Sequence, residues 1–173
     1  QIQVDSLVAA IESANTVFTA AAGRSGLLLR CFAMRLMHMD KPVFVVGEIV
    51  TPAVRVGDLL LIASGSGQTG SLVNLAHKAK GIGAKIALVT ANAGSSIAAP
   101  SDATLRTPAP TPKADVSDRV ESVQHMGNLF EPGMFIAMAA AVMQLLRRAG
   151  TTGGVVFRTH VPLRETKRLS GLR

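Results

Sequence analysis

The chain has 173 residues, 48% of them hydrophobic and 17% charged, with 16 glycines, which suits one packed domain and excludes a disordered polypeptide. No run of roughly 18 apolar residues lacks a charge, so no membrane span is expected, and the N-terminal QIQVDSLVAAIESAN has no basic flank of the signal-peptide kind. The formal charge is +7, but residues 1–146 hold 11 Lys and Arg against 10 acids while residues 147–173 hold 7 against Glu165 alone, so the basic character reads as a solvated tail and not as a nucleic-acid surface.

In chain order, Leu7, Val8, Ile11 and Ala14 recur at helical spacing and predict a leading helix over 5–15. Strand-like runs follow at 17–22, 43–46, 59–63 and 86–90, with a weaker one at 103–106. Between them, 27–39 and 71–80 carry a period near 3.6, and the second ends at Gly81 and Gly83, where a helix terminus favours glycine. Cys31 lies in the first of these helical runs and reads as a buried, reduced thiol of a cytoplasmic protein. Pro108, Pro110 and Pro112 mark a loop before a last helical region near 120–148, which Pro132 either starts or kinks. Continuous apolar strands alternating with helices imply a parallel α/β sheet covered on both faces. One domain is expected over 1–149, followed by a basic tail over 150–173.

Two turns at strand ends carry binding chemistry, because ligands of open parallel sheets collect beyond the strands' carboxyl ends. Gly23-Arg24-Ser25-Gly26 follows the first strand. Ser64-Gly65-Ser66-Gly67-Gln68-Thr69-Gly70 follows the third and offers three hydroxyls within six residues at a helix start, a cradle suited to a phosphate monoester. Gly65, Gly67 and Gly70 also satisfy GxGxxG, yet no acid occurs between Asp58 and Asp102, where a dinucleotide site would place its ribose ligand. No lysine follows the last glycine, which excludes a P-loop.

The segment ASGSGQTGSLVNLAHKAKGIGAKIALVT resembles the sugar isomerase (SIS) phosphosugar-binding domain. AAGRSG, FAMRLMH, VGE, TP and GDLLLIASGSGQT follow in the order and spacing of the 6-phospho-3-hexuloisomerase family, and the likeness spans about residues 17–145. The resemblance implies a five-stranded parallel sheet between helices in three layers, a homotetramer, and conversion of 3-hexulose 6-phosphate to fructose 6-phosphate in the ribulose monophosphate route of formaldehyde fixation. It implies phosphosugar contacts from Arg24, Ser25, Ser64, Gly65, Ser66, Gly67, Gln68 and Thr69. A non-catalytic phosphosugar-binding module of the same domain is the alternative.

Moving a carbonyl from C3 to C2 needs one positioned base over an enediol and no metal or cofactor. With one cysteine and four scattered histidines, the chain offers no metal motif. The family's catalytic carboxylate lies in a segment like PMGSLFEQ, here HMGNLFEP, which assigns Glu131 as proton acceptor; the other reading is an acid complementing a helix dipole before Pro132. Glu48, after the second strand, either holds sugar hydroxyls or starts a helix. His38 lies 13 residues beyond Ser25, ~20 Å along a helix, and suits a helix end or an interface. The family's C-terminal HANLE-like segment corresponds to THVPL, so His160 is the resemblance's candidate for reaching a neighbouring active site.

Overall fold

The computed structural model describes residues 2–110 and 129–150; His160, the basic tail and the segment before Leu129 lie outside the described residues. The elements run α1 (Ile2–Ser13), β1 (Val17–Ala21), α2 (Gly23–Met37), β2 (Val43–Val45), β3 (Leu59–Ala63), α3 (Gly70–Ile82), β4 (Lys85–Thr90), β5 (Ala103–Arg106) and α4 (Phe130–Arg148). All five strands pair in parallel in the order β2-β1-β3-β4-β5. The sheet is the one expected from the alternating apolar runs.

Strand residues alternate between two cores. Val17, Leu59, Leu61, Ala63, Val89 and Leu105 face α1, α2 and α4 through Leu7, Ile11, Leu29, Leu36, Met134 and Met138. Phe18, Leu60, Ile62, Ile86 and Leu88 face α3 through Leu72, Ala76 and Ala79. The molecule is thus three layers, and burial on both faces explains why the inner strands β1, β3 and β4 read as largely apolar runs. Each large side chain that becomes fully buried contributes roughly 1.5–3 kcal/mol. Among the described residues no helix is long and apolar enough to cross a membrane.

Several boundaries move for local reasons. Helix α1 stops at Ser13 because the Asn15 N–H is taken by the Gly57 carbonyl. Strand β4 starts one residue early because the Lys85 N–H bonds Asp58 O beside the β3 ladder. The Gly23–Gly26 segment, expected as a turn, is the first turn of α2. Helix α4 has Pro132 in its first turn, where a missing N–H costs no helical bond. Gly83 caps α3 as expected, with φ +87. Cys31 departs from expectation: it is exposed, because α2 buries Leu29, Phe32, Ala33 and Leu36 while Cys31 shares an outer face with Leu27 and Met34.

Candidate active site

Strand order reverses between β1 and β3, so the crevice beyond their carboxyl ends is the topological switch point, where doubly wound sheets bind ligands. The Arg24 and Ser25 turn leaves β1 there, and the serine-glycine loop leaves β3 there. The N-termini of α2, α3 and α4 are all directed to this edge, which favours anionic ligands.

The serine loop is built largely by its own backbone and by the segment after β4. Ser64 and Ser66 are buried. The Ser64 Oγ accepts the Gly67 N–H at 3.1 Å, and the Ser66 Oγ accepts the Gln68 N–H at 3.2 Å. Each hydroxyl therefore keeps its own proton to donate. Thr69 is the N-cap of α3, but its side chain makes no capping bond. Outer support comes from Thr90, whose Oγ1 donates to Gly65 O at 3.1 Å, from Asn92, whose Nδ2 donates to Ser66 O at 3.4 Å, and from Ser96, whose Oγ donates to Gln68 Oε1 at 2.7 Å. Gly67 has φ +62, and a side chain there would collide with Ser95; no other residue type fits without reshaping the loop.

The supporting residues Thr90, Asn92, Ser95 and Ser96 were not among the sequence-derived candidates. Their signal was present all the same, since TANAGSS is a third glycine- and hydroxyl-rich turn at a strand's carboxyl end.

The first turn of α4 is seated against this loop. Phe130, buried at 3% exposure, lies so close to Gly65 that a Cβ on the glycine would sit 3.2 Å from the ring. Three residues further on, Gly133 packs against the Thr107 side chain. The next residue after Phe130 is Glu131, whose side chain is 17% exposed. Its Oε1 accepts from Arg24 Nε and its Oε2 from Arg24 Nη2, both at 3.3 Å.

The structure thus brings together Arg24, Glu131 and, through Phe130, the Ser64–Thr69 loop, with Ser25 buried in the first turn of α2. Among the described residues no hydrogen bond or ion pair joins Glu48 to Glu131 or to the serine loop. Glu48 pairs with Arg30 Nη1 at 2.6 Å, and Arg30 stands six residues beyond Arg24, ~9 Å along α2. His38 is buried at the C-cap of α2, the helix-end position its spacing suggested. A cavity of about 270 Å³ lined by Ile11, Glu12, Met39, Lys41, Leu145 and Arg148 lies at the C-terminal ends of α1, α2 and α4, away from this crevice. There, Lys41 donates to the carbonyls of Glu12 and Ala14, and burial lowers its pKa despite the nearby Glu12 charge. Among the described residues no group of three or more His, Cys, Asp or Glu is placed to hold a metal.

A SIS domain family model matches residues 10–130. A 3-hexulose-6-phosphate isomerase of Bacillus subtilis is 40% identical over 161 residues, covering 93% of this chain and 86% of the relative. Another, of Mycobacterium gastri, is 46% identical over 143 residues, covering 83% of this chain and 71% of the relative. Among solved structures, a Methanococcus jannaschii protein inferred to be a 3-hexulose-6-phosphate isomerase superposes with a TM-score of 0.81 at 31% identity, covering 94% of this chain and 86% of its own. With a serine-glycine loop at the switch point and kinship over most of its length, the chain belongs to the SIS domain family, in the branch of the 3-hexulose-6-phosphate isomerases.

Proposed function

We propose that the chain isomerises 3-hexulose 6-phosphate to fructose 6-phosphate, with Glu131 carrying the proton. The observation that carries this reading is a carboxylate held at the switch point, one residue from the phenylalanine that packs on the serine loop. The phosphate is assigned to Ser64, Gly65, Ser66, Gly67, Gln68 and Thr69, with Ser25 alongside. Hydroxyl protons and the N-terminus of α3 suit a dianion. Glu131 takes the proton from C2, a proton passes from O2 to O3 across the enediol, and Glu131 returns its proton to C3. One carboxylate and a few polar donors suffice for this chemistry.

The domain assigned to this activity is residues 1–149, in a cytoplasmic homotetramer. Exposed apolar side chains on α2 and α4, among them Leu27, Met34, Phe135 and Ile136, support an assembly of copies. Glu48 is assigned to sugar hydroxyls, and His160 to the site of a neighbouring copy.

A coupled assay of fructose 6-phosphate formation on wild type and Glu131→Gln tests the reading. General acid–base catalysis is worth ~10²–10⁴-fold, so kcat should fall by about that factor while phosphosugar binding survives. A binding module without catalysis would show no turnover in either protein but unchanged affinity in both. Near wild-type turnover in the variant would move the base elsewhere.

A further inference from the structure

The Arg24–Glu131 pair is poorly explained as a stabilising contact. Arg24 is the second residue of α2, so its charge opposes the dipole of its own helix, whereas Glu131, second in α4, is favoured by the dipole of its own. The Arg24 side chain is 55% exposed, and exposed ion pairs contribute little to stability. The geometry has a larger consequence. Both carboxylate oxygens are engaged by separate N–H groups of one guanidinium, in the fork arrangement that fixes the plane of a carboxylate as well as its place. The terminal torsion of a glutamate is otherwise broad. Each oxygen keeps a second lone pair, so the fork orients the acid without consuming its capacity to take a proton.

We propose that Arg24 is a positioning residue for Glu131, and not a ligand of the substrate phosphate. This rests on the assignment of Glu131 as the proton carrier. The phosphate then depends on the serine loop, and the guanidinium acts on turnover by holding the base in one orientation towards the reacting carbons. A misplacement of about 1 Å in such a group can cost ~10²-fold in rate.

The test compares Arg24→Gln and Arg24→Lys with wild type by kcat, KM and competitive inhibition by inorganic phosphate, with circular dichroism confirming the fold. Arg24→Gln should lower kcat roughly 10–100-fold, with KM and the phosphate inhibition constant unchanged within about twofold. Arg24→Lys retains the charge but not the fork and should stay well below wild-type kcat, because a lysine is a point charge without bidentate geometry. A tenfold rise in KM and in the phosphate inhibition constant, with kcat intact, would overturn the proposal and return Arg24 to the phosphate. Wild-type kcat in Arg24→Gln beside an inactive Glu131→Gln would overturn the role of Arg24 alone. An active Glu131→Gln would overturn the assignment of the base and this role with it.

Discussion

Replacing Gly65 by alanine separates two uses of that glycine: close approach of a phosphate, or room for the phenylalanine that precedes the base. A Cβ at this position would lie 3.2 Å from Phe130 Cδ1 and 3.3 Å from Cγ, against ~3.5–4.0 Å for carbon atoms in good contact. The shortfall at Cδ1 is therefore roughly 0.3–0.8 Å by that standard. Phe130 is buried among the residues that join α4 to the sheet, so the ring has no open space to enter and the first turn of α4 must move with it. With a 1 Å misplacement costing ~10²-fold, and the barrier rising in proportion to displacement, kcat should fall roughly 4–40-fold. The loop N–H groups and serine hydroxyls keep their places, so KM should change less than about twofold. Overpacking typically costs ~1–3 kcal/mol, so Tm should also drop by several degrees. The coupled fructose 6-phosphate assay reads kcat and KM, and thermal denaturation reads Tm. Unchanged kcat with a raised KM would refute the coupling and leave Gly65 as a phosphate approach point only.

Two further outcomes follow from the same geometry. Ser66→Ala removes a hydroxyl donor and the acceptor for the Gln68 N–H; it should raise KM more than it lowers kcat, because contacts far from the reacting carbons bind ground and transition states alike. Asp102 accepts the Ile86 N–H at 2.8 Å and pairs with Lys80 at 3.0 Å. Its pKa is lowered, with burial opposing the shift and the Ile86 and Lys80 bonds outweighing it. A depressed carboxyl stabilises the fold above the ordinary value of ~4 and loses that contribution as pH falls through its native pKa. Asp102→Ala should therefore lower Tm by a few degrees at pH 7, from a net loss of about 1 kcal/mol, with the gap narrowing in thermal scans as pH falls below ~4; a gap independent of pH would contradict the ionised assignment.

The sheet was legible because the inner strands β1, β3 and β4 are largely apolar and buried on both faces, whereas the edge strand β5 alternates through Thr104 and Arg106 and reads more weakly. Chemistry at the strand ends was legible for the same reason: glycine and serine runs interrupting apolar strands stand out. The first turn of α2 was not, because glycine and serine are weak helix formers and Gly23-Arg24-Ser25-Gly26 becomes helical only by following directly from β1 at the sheet edge. Cys31 was misread since α2 is apolar on two faces, and periodicity alone does not say which one the sheet covers. The pairing of Arg24 with Glu131 joins residues 107 positions apart, and no local spacing encodes it.

The glycines carry the general lesson. In the sequence, Gly65 and Gly67 both read as points where a backbone nears a phosphate, because a missing Cβ announces a close approach. In the fold the space beside Gly65 belongs to Phe130, and the space beside Gly67 to Ser95. What glycine reports is that something comes near, while the identity of the visitor depends on which distant residue the topology delivers. Here the delivery has a chemical effect. Phe130 reaches Gly65 because α4 crosses the switch point with its N-terminus towards β3, and the same crossing sets Glu131 beside the guanidinium of Arg24. The residue that locks the loop to α4 thus adjoins the residue assigned to the proton, which is why a substitution at Gly65 should be read in kcat.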